Sequence, residues 1–158
     1  RRSSDLAGTV KQFYSDIIWG DIDYMFIDCP PGTGDVPLTI FQSIPIDGVV
    51  VVTTPQDLVS VIVGKAVHMA DSMNIPVIGM IENMSYFICP DCNNKHYIFG
   101  KSQLEQVIRD LYIGHAIRLP INPSLAGLMD RGEIEHMEAN ADLQEFADLI
   151  STFDPDKY

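Results

Sequence analysis

Basic residues and cysteines are both scarce in this sequence. Ten Lys and Arg stand against 22 Asp and Glu, leaving a net charge of −12. A surface so charged repels phosphate backbones and anionic lipid over the Debye range, so neither nucleic acid nor membrane is an expected partner. Three cysteines are too few, and odd in number, for a disulfide framework, which leaves thiol or metal chemistry as their expected use. Long apolar runs are missing as well. The longest, near Gly48 to Val52, falls far short of the roughly 20 residues that span a bilayer. Arg1 to Phe13 does not read as a secretory signal, and the expectation is a cytoplasmic protein. No G-x-x-x-x-G-K-[ST] phosphate loop occurs either: Gly64-Lys65-Ala66 has neither the glycine-rich loop nor the hydroxyl.

The chain does have enough apolar residues for a core. With 158 residues, 46% of them hydrophobic, it is long enough for one domain. Tyr24 to Cys29 (YMFIDC) is a short apolar run stopped by Pro30, Pro31 and Gly32, which predicts a buried strand ending in a rigid loop. Gly48 to Thr54 (GVVVVTT) and Pro76 to Ile81 (PVIGMI) are two further runs of the same kind. Between these two, Thr54, Pro55 and Asp57 supply a cap, a first-turn proline and an acid, and apolar residues recur from Leu58 to Met73. Strand, helix, strand with near-continuous apolar strands predicts a parallel sheet covered by helices on both faces, an α/β fold. Helical spacing also marks Leu6 to Trp19, with Ser3, Ser4 or Asp5 as a cap, then Leu104 to Leu111, Asn122 toward Gly132, and Leu143 to Ile150. Ile117 to Pro120 fits one shorter strand, and Asp154 to Tyr158 a frayed end.

Two motifs carry chemistry. In FIDCPPGTGD, Phe26 to Asp35, an apolar strand would deliver Asp28 at its C-terminal end, where open α/β sheets bind ligands. A carboxylate there can hold the water shell of Mg²⁺, and Gly32 and Gly34 let backbone N–H groups approach a phosphate oxygen. The plainer alternative is a strand ending in a Pro/Gly turn that Asp28 merely caps. In CPDC, Cys89 and Cys92 are separated by two residues in a turn favoured by Pro90 and the trailing asparagines, a spacing that grips one metal edge. Soft thiolates select zinc or iron–sulfur clusters. Three arrangements remain open at this point. One is a redox dithiol, which needs a helix after the motif where Asn93 to Gly100 looks like loop or hairpin. Another is a zinc knuckle completed by distant ligands. The third is a site shared by two copies across a two-fold axis. Cys29 reads as a small buried side chain. His68, His115 and His136 read as structural. His96 is close enough to the cysteine turn to be a ligand, though a solvated loop histidine is the simpler reading. The acids Asp130, Glu133, Glu135 and Glu138 read as a solvated face.

IDCPPGTGD, VVVTTPQ, GMIENMSYFICPDC and the IFG at Ile98 to Gly100 together resemble the Mrp/ApbC family, over about Trp19 to Phe153. Members of that family are homodimeric ATPases, related to MinD and the nitrogenase iron protein, that carry a [4Fe–4S] cluster to recipient apoproteins. The resemblance implies a P-loop NTPase fold of which residues 1–158 form the C-terminal portion of a single domain. It implies Asp28 as the carboxylate that orders Mg²⁺ beside ATP, Gly32 as the glycine facing the γ-phosphate, and Asn83 as the reader of the adenine edge. Cys89 and Cys92 match the cluster-bridging pair, with zinc as a substitute occupant, and Asp35 matches a switch coupling nucleotide to the dimer interface. The sequence departs from the family in lacking the phosphate loop. An isolated chain is therefore expected to be inactive, with a gap in its sheet beside the Asp28 strand. The rival expectations are a non-enzymatic zinc or iron–sulfur binding fragment and a dithiol redox protein.

Overall fold

The computed structural model describes residues 2–56, 59–138 and 140–157. Its centre is β2 (Val77–Ile88), a strand of 12 residues. The strand β1 (Val49–Thr53) runs parallel to it, with Val51 opposite Met80 and Thr53 opposite Glu82. On its other side β4 (Ala116–Pro120) is also parallel, pairing Met80 with Ala116 and Glu82 with Arg118. Beyond these partners β2 runs on and folds back through a turn into the two-residue strand β3 (Lys95–His96), antiparallel to its end.

Period-two alternation sends Val51 and Met80 to one face of this sheet. There they meet Val63 and Val67 of α3 (Val59–Ser72), Leu104 of α4 (Leu104–Asp110) and Ile113. Met80 is fully buried. Gly79 faces the opposite side, where α6 (Ala141–Thr152) approaches so closely that a Cβ on Gly79 would lie 2.7 Å from the Phe146 ring. Helices therefore cover both faces, and the molecule is a three-layer α/β sheet with one short antiparallel addition. The last helices are capped as their sequence demands. At α5 (Pro123–Arg131) the Asn122 side chain accepts from the Ser124 amide, Pro123 opens the first turn, and Gly132 closes it at φ 67°. Asn140 caps α6 by accepting from the Leu143 amide.

The predicted strand at Tyr24 to Cys29 does not form. That segment is irregular, mostly exposed backbone, with Phe26 75% exposed. A strand is stable only when its N–H and C=O groups pair. Among the described residues none pairs with this run, nor with the edge of β1 turned away from β2. Cys29 is accordingly half-buried in a loop, not packed within a strand. The first helix, α1 (Arg2–Ser15), starts before the expected caps and stops before Trp19. A further helix, α2 (Asp35–Ser43), was not anticipated; it follows Gly34 and buries Pro37 and Ile40, and Ile44 just beyond it is buried too. Asp57 and Leu58, expected to open α3, lie outside the described residues. Pro155 to Lys157 form a short 3-10 turn held by a Lys157–Asp154 ion pair.

Candidate metal centre

The hairpin from β2 to β3 places the two motif cysteines. Phe87 pairs with His96 and Ile88 with Lys95. The Cys89 amide then donates to the Asn94 carbonyl at 3.0 Å, and the Asn93 amide donates back to the Cys89 carbonyl at 2.9 Å. Asn93 takes the left-handed conformation at φ 57°, which asparagine tolerates better than most residues. The result is a closed turn of Cys-Pro-Asp-Cys, not the start of a helix, so the arrangement of a glutaredoxin-type dithiol is not present. Sequence and turn chemistry agree here because every residue of the segment suits a knuckle.

The turn gathers three donors. The sulfur atoms of Cys89 and Cys92 and a ring nitrogen of His96 all lie within 4.8 Å of one another. Cys89 is half-buried, while Cys92 and His96 are exposed. Backbone N–H groups of Cys92 and then Asp91, followed by the Cys92 thiol, hold the Cys89 thiol below its ordinary range, as a turn of inward N–H groups does for any anion. Lys95 is turned away, its ammonium over the Tyr86 ring at 4.2 Å. Cys29 takes no part. Burial, and then the negative charge of Asp28, push its thiol up.

The residues expected at a nucleotide are less organised. Asp28 is exposed in the irregular segment, and Gly32 has φ 90° with open space where a side chain would be. Asp35 opens α2. Asn83 is exposed on β2, its side-chain oxygen accepting from the Met84 amide at 2.9 Å, and Met84 has φ 53° where the pairing with β4 is interrupted. Among the described residues no hydrogen bond or ion pair joins Asp28 to Asn83. Among the described residues Asp28 belongs to no group of three potential metal ligands, so these residues alone do not make a Mg²⁺ site. Just past the end of β1 and beside the middle of β2, Thr53, Thr54, Gln56, Glu82 and Gln103 line a shallow hollow that Asn83 does not enter.

One residue escaped the sequence reading altogether. Glu82 is only 3% exposed, yet it is ionisable. Its carboxylate accepts from Ser85 at 2.6 Å and Ser102 at 3.0 Å, and the Arg118 guanidinium lies 3.7 Å away. Arg118 in turn donates to Ser102 and to Glu105. An acid directly after the apolar run VIGMI was the available signal.

Comparison with known proteins bears on this geometry. A family model described as ParA, NUBPL iron-transfer P-loop NTPase, matches residues 1–153. A protein of Methanocaldococcus jannaschii named iron-sulfur cluster carrier protein is 46% identical over 132 residues, covering 83% of this chain and 46% of that protein. Its namesake in Methanococcus maripaludis is 39% identical over 153 residues, covering 96% and 53%. A solved structure, the nucleotide-binding protein of Archaeoglobus fulgidus in complex with ADP, in which cobalt was found, superposes with a TM-score of 0.77 at 38% identity. The match covers 94% of this chain and 58% of that one. The chain thus spans about half the length of the curated relatives it matches.

Proposed function

Since the chain belongs to the NUBPL iron-transfer family of P-loop NTPases, we propose that it is the cluster-bearing part of an ATP-dependent carrier that binds [4Fe–4S] and passes it to recipient apoproteins. The observation that carries this reading is the convergence of Cys89 and Cys92 on one closed turn at the tip of β2. Two thiolates leave a metal half-coordinated, and a second copy of the turn across a two-fold axis supplies the other two. The cluster is cargo, so a turn at the surface, half open to an acceptor, suits its release. The cobalt found in the relative from Archaeoglobus fulgidus fits a site that takes soft or borderline cations, zinc among them.

Nucleotide hydrolysis is proposed for a protein of the relatives' length, in which a phosphate loop joins Asp28, Gly32 and Asn83. In that setting Asp28 would order the water shell of Mg²⁺, Gly32 would face the γ-phosphate, and Asn83 would read the adenine edge. Catalysis would rest on positioning and electrostatics, as in other phosphoryl transfer. The relative bound to ADP supports a nucleotide role. A homodimer working in the cytoplasm completes the proposal.

The test is iron and sulfide analysis after anaerobic reconstitution of the protein at full natural length, with oligomeric state measured in parallel. We expect about one four-thiolate site per two chains. Cys89→Ala and Cys92→Ala should lose cluster and the metal-dependent dimer, while Cys29→Ala keeps both. Equal loss in Cys29→Ala, or a cluster held by a monomer, would overturn the assignment.

A further inference from the structure

The third donor of the turn is unused by a site of four thiolates. His96 is brought to Cys89 and Cys92 by backbone pairing alone: Phe87 with His96 across the hairpin, and the two hydrogen bonds that close the turn. Its ring nitrogen is within 4.8 Å of both sulfurs while exposed to solvent, so reaching a shared metal needs only a side-chain adjustment. Two thiolates and one imidazole from one chain form a donor set of three. Sets of this kind bind zinc in tetrahedral geometry and leave the fourth position to an exchangeable ligand. The same donors suit ferrous iron and cobalt, but not the hard cations Mg²⁺ and Ca²⁺. Lys95, the cation nearest along the chain, is held on the Tyr86 ring and does not occupy the turn.

We propose that a single chain holds one divalent cation, zinc or ferrous iron, on Cys89, Cys92 and His96, with the fourth position open. This rests on Cys89 and Cys92 being the metal-binding pair, and it adds what one chain does when no second pair of thiolates faces it. The two states then differ in their ligands: Cys₂His in one chain, four cysteines in two. His96 is required in the first and dispensable in the second. The open fourth position makes the one-chain state the exchangeable one, able to accept a thiolate from a donor or a second copy.

Anaerobic titration of the full-length protein with Co²⁺ tests this, because tetrahedral thiolate ligation gives cobalt intense visible bands. Wild type should take up one Co²⁺ per chain. His96→Ala and His96→Gln should bind it about tenfold more weakly or worse, with altered bands. Both His96 variants should still load iron and sulfide, and pair, like wild type. One Co²⁺ per two chains in wild type, or a His96→Ala titration that superimposes on it, overturns the one-chain site and leaves the cluster assignment standing. If instead the His96 variants lose cluster as completely as Cys89→Ala, His96 is not dispensable and the proposal also falls. The cluster assignment itself is judged separately, by Cys89→Ala and Cys92→Ala against Cys29→Ala.

Discussion

Cys89 and Cys29 meet opposite surroundings, and their reactivities should differ accordingly. Backbone N–H groups of Cys92 and Asp91 favour the Cys89 thiolate, whereas burial and the neighbouring Asp28 charge disfavour that of Cys29. The thiolate is the nucleophile, so at neutral pH Cys89 should be alkylated severalfold faster than Cys29. The sign of the pH effect follows. As pH rises Cys89 ionises before Cys29, so the rate ratio is largest below the Cys89 transition and narrows toward base, where both are ionised. Mass spectrometry of iodoacetamide adducts in metal-free protein would show it, and Cys29 labelled first would contradict both surroundings. Glu82 is the other telling residue. It is buried but fully engaged, bridging β2 to Ser102 ahead of α4 and to Arg118 of β4, so its plainest role is to lock those elements together. A hydrophobic pattern locates strands, but it does not say that an acid within one will find, besides the Ser85 hydroxyl on its own strand, a hydroxyl and a guanidinium at Ser102 and Arg118 from segments far along the chain.

Among the elements, β2 does most to organise the site, since Asn83 and the cysteine turn lie on the same strand and its direct continuation. Its position depends on Gly79. A Cβ there would lie 2.7 Å from the Phe146 ring and 2.9 Å from the His115 carbonyl, which already accepts from the Met80 amide. The ring could shift, but the carbonyl is tied into the sheet. Gly79→Ala should therefore cost about 1–3 kcal/mol of unfolding free energy by chemical denaturation. Phe146→Leu in the same protein should recover only part of that loss; full recovery would mean the carbonyl contact is soft. Elements of this kind were legible from sequence because their signals are local. Continuous valines mark β1, Asn122, Pro123 and Gly132 frame α5, and the CPDC-Asn-Asn run marks the turn. The Tyr24 to Cys29 strand was misread because apolar composition establishes only that a run can be a strand. Whether it becomes one depends on a neighbour to pair with. α2 was missed for a related reason: Pro30, Pro31 and Gly32 read as a rigid loop, while burial of Ile40 and Ile44 against the rest of the molecule settled the matter. His96 was noted beside the turn, yet its reach to both sulfurs depended on a hairpin register that sequence does not print.

For the whole molecule, the unpaired segment governs behaviour. Tyr24 and Phe26 stack on one another at 6.4 Å but remain largely in water. Ile18 is exposed nearby in the chain, and Val52 on β1 is 63% exposed beside a strand edge that has no partner among the described residues. Exposed apolar side chains next to open backbone edges recruit other chains. The 158-residue chain purified alone should therefore self-associate with rising concentration in sedimentation, and amides of Tyr24 to Cys29 should exchange with solvent at nearly unprotected rates. In a protein of the relatives' length, a partner strand would protect those amides and place Asp28 at a strand end, where a ligand can use it. ATP turnover should follow the same division. With no phosphate loop in its sequence and Asp28 on an unpaired segment, the chain alone should show no steady hydrolysis, whereas the longer protein should turn over slowly and lose that activity in Asp28→Asn. A monodisperse monomer with protected Tyr24 to Cys29 amides would refute the link between the unpaired segment and association. Steady hydrolysis by the chain alone, abolished in Asp28→Asn, would show that a phosphate site assembles without the loop and would displace the nucleotide proposal made for Asp28, Gly32 and Asn83.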